Sequence, residues 1–216
     1  MGYRSTMLLV NPRSEDATVT RLEFFGNNGA PLALPIAGEL RTSVNLMWPA
    51  KGVAHFHTNG ISSEIKVGWI SVTSPDPIFG SAIFQTRYQD RIISEAGVAD
   101  APLSTHLISP MESLGSTHSG IAICNPNAVG VTITLNLRSP SGALAATASF
   151  DLPPLGHAAR FFTRWFPAGF EEFTGTLEVI SPAPVSAVAM RYDNPLMNVF
   201  ATLPVAIIPE TRALLR

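Results

Sequence analysis

Apolar and polar side chains alternate along this chain in short bursts, cut off about every 8–12 residues by Gly, Pro, Asn or Asp. The clearest burst is Val131-Thr132-Ile133-Thr134-Leu135-Asn136-Leu137-Arg138, which alternates over eight positions. A period of two puts one face on a core and the other in water, which predicts a half-buried strand. Ser139-Pro140-Ser141-Gly142 follows. Pro presets φ and Gly accepts positive φ, so this tetrapeptide predicts a hairpin turn, with 143–152 returning as the partner strand. An apolar run at 118–124 is halted by the turn signal Asn125-Pro126-Asn127. Runs at 157–162, 175–180, 185–192 and 198–208 complete about seven strands, the spacing of a β-sandwich.

The first half repeats the plan. Residues 17–25 are expected to pair across Gly26-Asn27-Asn28-Gly29 with 31–36, and 53–58, 65–73, 78–88 and 105–108 supply further strands. The halves share landmarks in the same order. Ser5-Thr6-Met7-Leu8-Leu9-Val10-Asn11-Pro12 answers Ser119-Gly120-Ile121-Ala122-Ile123-Cys124-Asn125-Pro126. Thr18-Val19-Thr20 answers Thr132-Ile133-Thr134, and Asn28-Gly29 answers Ser141-Gly142. The stretch from Gly68 to Pro77 answers that from Gly175 to Pro184, and Ser81-Ala82-Ile83 answers Ser186-Ala187-Val188. His106-Leu107-Ile108-Ser109-Pro110 answers Val205-Ala206-Ile207-Ile208-Pro209. A period of about 100 residues is too long for a solenoid unit and suits a whole small domain. The expectation is an all-β chain of two tandem antiparallel β-sandwich modules, 1–113 and 114–216, joined stiffly at about 113–117. The halves differ in a longer 41–48 and a polar excursion at 89–101, where function is expected to diverge. One helical turn is expected at Thr163-Arg164-Trp165-Phe166-Pro167, with Thr163 as its cap, Pro167 ending it and its aromatics plugging the sandwich.

Composition narrows the function. The 216 residues are 46% hydrophobic and 14% charged, against a usual charged share of about 25%. That balance, with 18 Pro and 16 Gly, suits strands and tight turns over charged helices. The formal net charge of −2 offers no basic footprint for nucleic acid. No apolar run approaches the roughly 20 residues of a membrane-spanning helix. Met7-Leu8-Leu9-Val10 is too short for a signal sequence, so an exported chain would have lost its signal or be part of something longer. The single Cys124 excludes an internal disulfide and, in its apolar run, is expected to act as a small buried hydrophobe.

His55-Phe56-His57 is the best candidate for chemistry. Residues two apart on a strand share a face, so both imidazoles can reach one metal ion. Glu64 or Asp76 would have to complete such a site; the second half reads Arg160-Phe161-Phe162 here and loses both histidines. Asp90, Glu95 and Asp100 share one loop as candidate calcium ligands. Trp48 and Trp165, near strand ends, are candidates for stacking on sugars, with Trp48 in the divergent first half preferred; Trp69 reads as core. Catalysis is not expected: there is no Gly-x-Ser-x-Gly elbow, and Gly115-Ser116-Thr117-His118-Ser119-Gly120 falls at the junction. Glu171 and Glu172 are adjacent and point apart in an extended segment. No motif for a cofactor is present.

Four phrases carry a resemblance: Asn-Pro-Asn followed by Val-Thr-Ile-Thr-Leu-Asn-Leu-Arg, Leu-Pro-Pro-Leu-Gly-His-Ala-Ala-Arg-Phe, Phe-Thr-Gly-Thr-Leu-Glu-Val, and Val-Phe-Ala-Thr-Leu-Pro-Val. Together they resemble tandem immunoglobulin-like β-sandwich repeats of secreted and surface proteins from environmental bacteria. The resemblance covers nearly all of the second half and, more loosely, the first. It implies an extracellular, non-enzymatic stalk, surface-layer, fibre or adhesion module that associates with itself or with protein partners. A carbohydrate-binding accessory module is the alternative, followed by a metal-binding module at His55 and His57.

Overall fold

The alternating segments become strands, and their buried positions fall where the alternation puts them. The computed structural model describes residues 2–16, 19–60, 64–89, 91–166, 168–193 and 199–209. The first half runs through β1 (Gly2–Val10), β2 (Thr20–Gly26), β3 (Leu34–Ile36), β4 (Glu39–Arg41), β5 (Ser43–Leu46), β6 (Val53–His57), β7 (Gly68–Thr73), β8 (Phe79–Tyr88) and β9 (Arg91–Ala99). One sheet has the order β6-β1-β8-β9, a second β5-β2-β7, and β3 pairs β4. Met7 and Leu9 of β1 pack with Leu22 and Phe24 of β2, Ile36 and Trp48 in one apolar cluster.

The remainder comprises β10 (Ser104–Leu114), β11 (Thr117–Cys124), β12 (Val131–Arg138), β13 (Leu144–Leu152), β14 (His157–Phe161), a 3-10 turn (Phe162–Arg164), β15 (Phe173–Asp193), β16 (Val199–Leu203) and β17 (Ala206–Ile207). All these strands join one antiparallel sheet of eight. Val131, Ile133, Leu135 and Leu137 of β12 are buried, as period-two patterning requires. They belong to a second cluster with Ile121 and Ile123 of β11, Leu177 and Val179 of β15, and Leu107 and Met111 of β10. The chain is thus all-β and antiparallel, and one sheet curls into a half-barrel.

The curl has a local cause in β15. Its first part pairs with β10 and β12, and its last eight residues pair with β11. Between them lies Ser181-Pro182-Ala183-Pro184, whose two prolines donate no ladder hydrogen bond and mark the corner. The sequence predicts two strands here, and the chain instead carries one bent strand of 21 residues. In the first half Ser74-Pro75-Asp76-Pro77 does break the strand, and Asp76 is drawn to Arg13 by an ion pair.

Other expectations change in detail. β2 pairs with β5 and β7, and its expected partner 31–36 contributes an isolated bridge, Phe25 to Pro31. The polar excursion at 89–101 contains β9, paired along β8. The expected linker at 113–117 is the tight turn between β10 and β11, with Gly115 at φ 56°. β10 pairs along β15, deep in the second half. The 3-10 turn starts from Phe161, with no side-chain cap; Thr163 lies inside it, and Pro167 lies outside the described residues. Its Phe162 and the nearby Phe166 are core residues.

A buried asparagine clasp occurs in each half. Asn11 and Asn125, both fully buried, follow β1 and β11. Each Oδ1 accepts from the backbone N–H two residues on, at Arg13 and Asn127, at 3.0 Å. Each Nδ2 donates at 2.8 Å to the carbonyl four residues on, at Glu15 and Val129. Each also donates to the turn that enters the next strand, at Pro49 and Pro153. That turn then answers with Gly52 or Gly156 accepting from the asparagine's own N–H. A buried amide is stable only with its donors and acceptor matched, and the Asn-Pro signature supplies this twice.

Registers refine the internal alignment. Leu22 opposes Val72 as Leu135 opposes Val179, so β2 matches β12 one residue out of step with the Thr-Val-Thr phrase, whose Thr18 lies outside the described residues. Leu8 opposes Ser81 as Ala122 opposes Val188, two residues out of step with the Ser-Ala match.

Candidate functional site

The histidine pair sits on β6, an edge strand of the first sheet. His55 and His57 oppose Leu8 and Thr6 of β1, and both side chains are exposed. Their ring centroids lie 5.6 Å apart, so strand geometry does bring two imidazoles to one face. Two ligands fall short of the three or four that a zinc site uses. Among the described residues no group of three or more His, Cys, Asp or Glu is placed to hold a metal. Asp76, one expected third ligand, is paired with Arg13. Desolvation, then Arg4, then His55 lower the pKa of His57, which favours the neutral form that can donate a lone pair. By register the counterparts of the pair in the second half are Ala159 and Phe161.

The tryptophans are placed otherwise than a sugar platform needs. Trp48 is 6% exposed and packs in the first-half cluster, so the open stacking face expected of it is absent. Trp48 follows β5 and shares an apolar cluster with Phe24, and its buried Nε1 has no hydrogen-bond partner. Trp165 stacks on Phe150 at 4.2 Å with the Arg160 guanidinium on the ring at 4.5 Å. Trp69 stacks on Phe25, and its Nε1 donates to the Leu155 carbonyl at 2.8 Å.

Of the expected calcium ligands, Glu95 lies on β9 and Asp100 just after it. Glu95 accepts from Gln85 at 2.8 Å across the β8–β9 ladder, and Asp90 lies outside the described residues. In the Gly115 to Gly120 tract, Ser116 donates to Asp193 at 2.7 Å. A serine–histidine contact does exist beside it: Ser113 Oγ lies 3.1 Å from His118 Nδ1. Its hydroxyl proton goes to the Glu171 carbonyl at 3.0 Å, and Ser113 is 1% exposed, so the oxygen is neither activated nor reachable. Burial pushes the Cys124 thiol up to about 11, which keeps it protonated and unreactive at neutral pH.

Two clusters escape sequence reasoning because their members are far apart in the chain. Glu178, the one buried carboxylate among the described residues, accepts from Arg138 Nε at 3.0 Å and Asn136 at 3.4 Å, with His106 Nε2 at 3.9 Å. These groups lie on neighbouring strands β12, β15 and β10; Arg138 and Asn136 satisfy the carboxylate as a structural cluster, while His106 Nε2 makes no hydrogen bond. The second cluster joins the halves. Asn27, in the turn after β2, accepts the His157 backbone N–H at 3.1 Å, and its Oδ1 lies 2.9 Å from His157 Nδ1. Burial pulls the His157 pKa down to about 4, so the ring is neutral at physiological pH. Gly29 completes this contact: at φ 78° an added Cβ would lie 2.0 Å from the Pro154 carbonyl oxygen.

An open surface depression of about 460 Å³ is lined by Asn27, Asn28, Leu32, Glu64 and Lys66, among others. Lys66 is engaged with the Ala33 carbonyl at 2.7 Å. No known family model, curated protein or solved structure matches the chain. No described helix is long and apolar enough to cross a membrane.

Proposed function

We propose that this chain is a non-enzymatic structural and interaction protein built from two related β-sandwich modules, immunoglobulin-like in general character, held as a stiff pair. The reading rests most on the asparagine clasp, whose main contacts recur in both halves and serve architecture. The partners of β10 favour a changeover between modules at about 100–103, after β9. The joint of Asn27, Gly29 and Trp69 with 154–157 supplies stiffness. A charge-poor surface suits an exported protein whose copies pack together, as in a stalk, surface layer or fibre. Sedimentation of the purified chain from micromolar to millimolar tests this. Mass rising with concentration, unchanged by alanine at His55, His57 and Glu178 taken singly, supports it; a strict monomer with no partner overturns it.

A second reading has one observation in its favour, the 5.6 Å approach of His55 and His57. It is a weak site for a soft divalent cation on the β6 edge. Titration with nickel, followed by histidine NMR shifts, tests it; unmoved His55 and His57 resonances at millimolar nickel end this reading.

A further inference from the structure

The two halves differ at one strand position. In the second half β15 is flanked on both edges, by β12 on one side and β10 on the other. In the first half its counterpart β7 is flanked by β2, and among the described residues no strand pairs with its other edge. The consequence shows in burial. Val179 is fully buried, and its counterpart Val72 is 36% exposed. Leu177 is fully buried, and its counterpart Ile70 is half-buried. β7 has kept apolar residues on its inward face while standing at an open edge. Such edges are templates for strand addition.

The chain carries a second version of the strand that covers β15. Val205-Ala206-Ile207-Ile208-Pro209 repeats His106-Leu107-Ile108-Ser109-Pro110 of β10. Part of it forms β17, which pairs with β10 through Leu107 to Ile207 and Ile108 to Ala206. The Ile208 N–H donates to the His106 carbonyl at 3.0 Å. At those same residues β10 already faces β15 with its other edge, through Leu107 to Val179 and Ile108 to Glu178. β17 therefore lies outermost, with one edge on β10 and, among the described residues, no strand on the other.

We infer that β7 and β17 are the two ends of one interface, and that residues 205–208 of one copy add antiparallel to β7 of a second copy. This rests on the proposed reading as an assembly protein. The register follows from the duplication: as Leu107 opposes Val179, Ala206 opposes Val72, and Ile208 opposes Ile70. Main-chain hydrogen bonds would supply the attraction, and covering Ile70 and Val72 would add apolar burial. β17 keeps its bonds to β10 throughout, so the added strand needs no release from its own copy. Each copy has one β7 and one β17, so the contact is heterologous and propagates as a row of copies unless the rotation closes a ring.

Single-cysteine chains test this in a Cys124→Ala background. Val72→Cys and Ala206→Cys chains, each checked for folding by circular dichroism, are mixed and oxidised with oxidised glutathione. The expected product is a disulfide-linked pair formed in the mixture and absent from either chain alone, with Ile207→Cys giving far less against Val72→Cys. Crosslinking of Val72→Cys with itself would mean β7 pairs with β7 and would overturn the inference. Sedimentation of the parent chain separates the two levels. Association without the 72–206 crosslink sinks this interface and leaves the assembly reading standing; a monomer at every concentration sinks both.

Discussion

The two halves hold the same clasp and different cores. Asn11 and Asn125 bind equivalent groups, yet the second half buries three strands' worth of aliphatic side chains around β15 and the first does not. Similar local wiring occurs in both halves, and edge coverage separates them. β10 closes the second half, whereas β7 stands open in the first. Closure of a sheet depends on which strand a neighbour supplies, and a similar strand pattern alone does not guarantee it.

The sharpest way to break that contrast is truncation in equivalent places. Leu177→Ala, in the covered core, is expected to cost about 3–4 kcal/mol, and Ile70→Ala, beside the open edge, about 1 kcal/mol. Urea unfolding of both variants below the association range checks this. Equal costs would mean that β7 is as well packed as β15. The clasp should behave in the opposite way and give matched losses. Asn11→Ala and Asn125→Ala each leave buried carbonyls and N–H groups unpaired and are expected to cost about 3 kcal/mol. A large loss from one and none from the other would remove the equivalence.

The joint gives a smaller effect that depends on pH. The folded His157 holds its proton weakly, with a pKa near 4 against 6.5 for the free side chain. Between those values the unfolded chain binds a proton that the folded chain excludes. Stability is therefore full above pH 6.5, falls as the pH drops towards 4, and levels off below it, by at most about 3 kcal/mol from this residue. Thermal melts from pH 7 to pH 4 should show the fall, and His157→Gln should flatten it. An unchanged slope in that variant would place the proton uptake elsewhere.

Much of the fold was legible because it is written in period two. β12 and β2 alternate, and their buried residues follow the alternation. The Asn-Pro and Pro-Gly signals also marked turns correctly, since those residues fix backbone angles locally. What escaped depends on distant neighbours. Nothing local to residues 104–114 says that β10 crosses into the second half, and nothing local to 181–184 says that the strand bends there without breaking. Trp48 read as exposed because it lies near a strand end, and it is buried in a cluster whose other members are far from it in the chain, Met7 and Phe24 among them. The nearness of His55 to His57 was legible, being a property of any strand. The contact of Asn27 with His157, 130 residues away, was not.

The central claim is that β7 is an unfilled position for a β10-like strand. Residue-resolved amide exchange of β7 and β15, recorded at low and at high protein concentration, addresses it most directly. The account predicts that the β7 amides pointing away from β2 exchange freely in the dilute chain and become protected as copies associate, while Leu177 and Val179 stay protected throughout. Protection of every β7 amide in the dilute monomer, equal to that of β15, would contradict it.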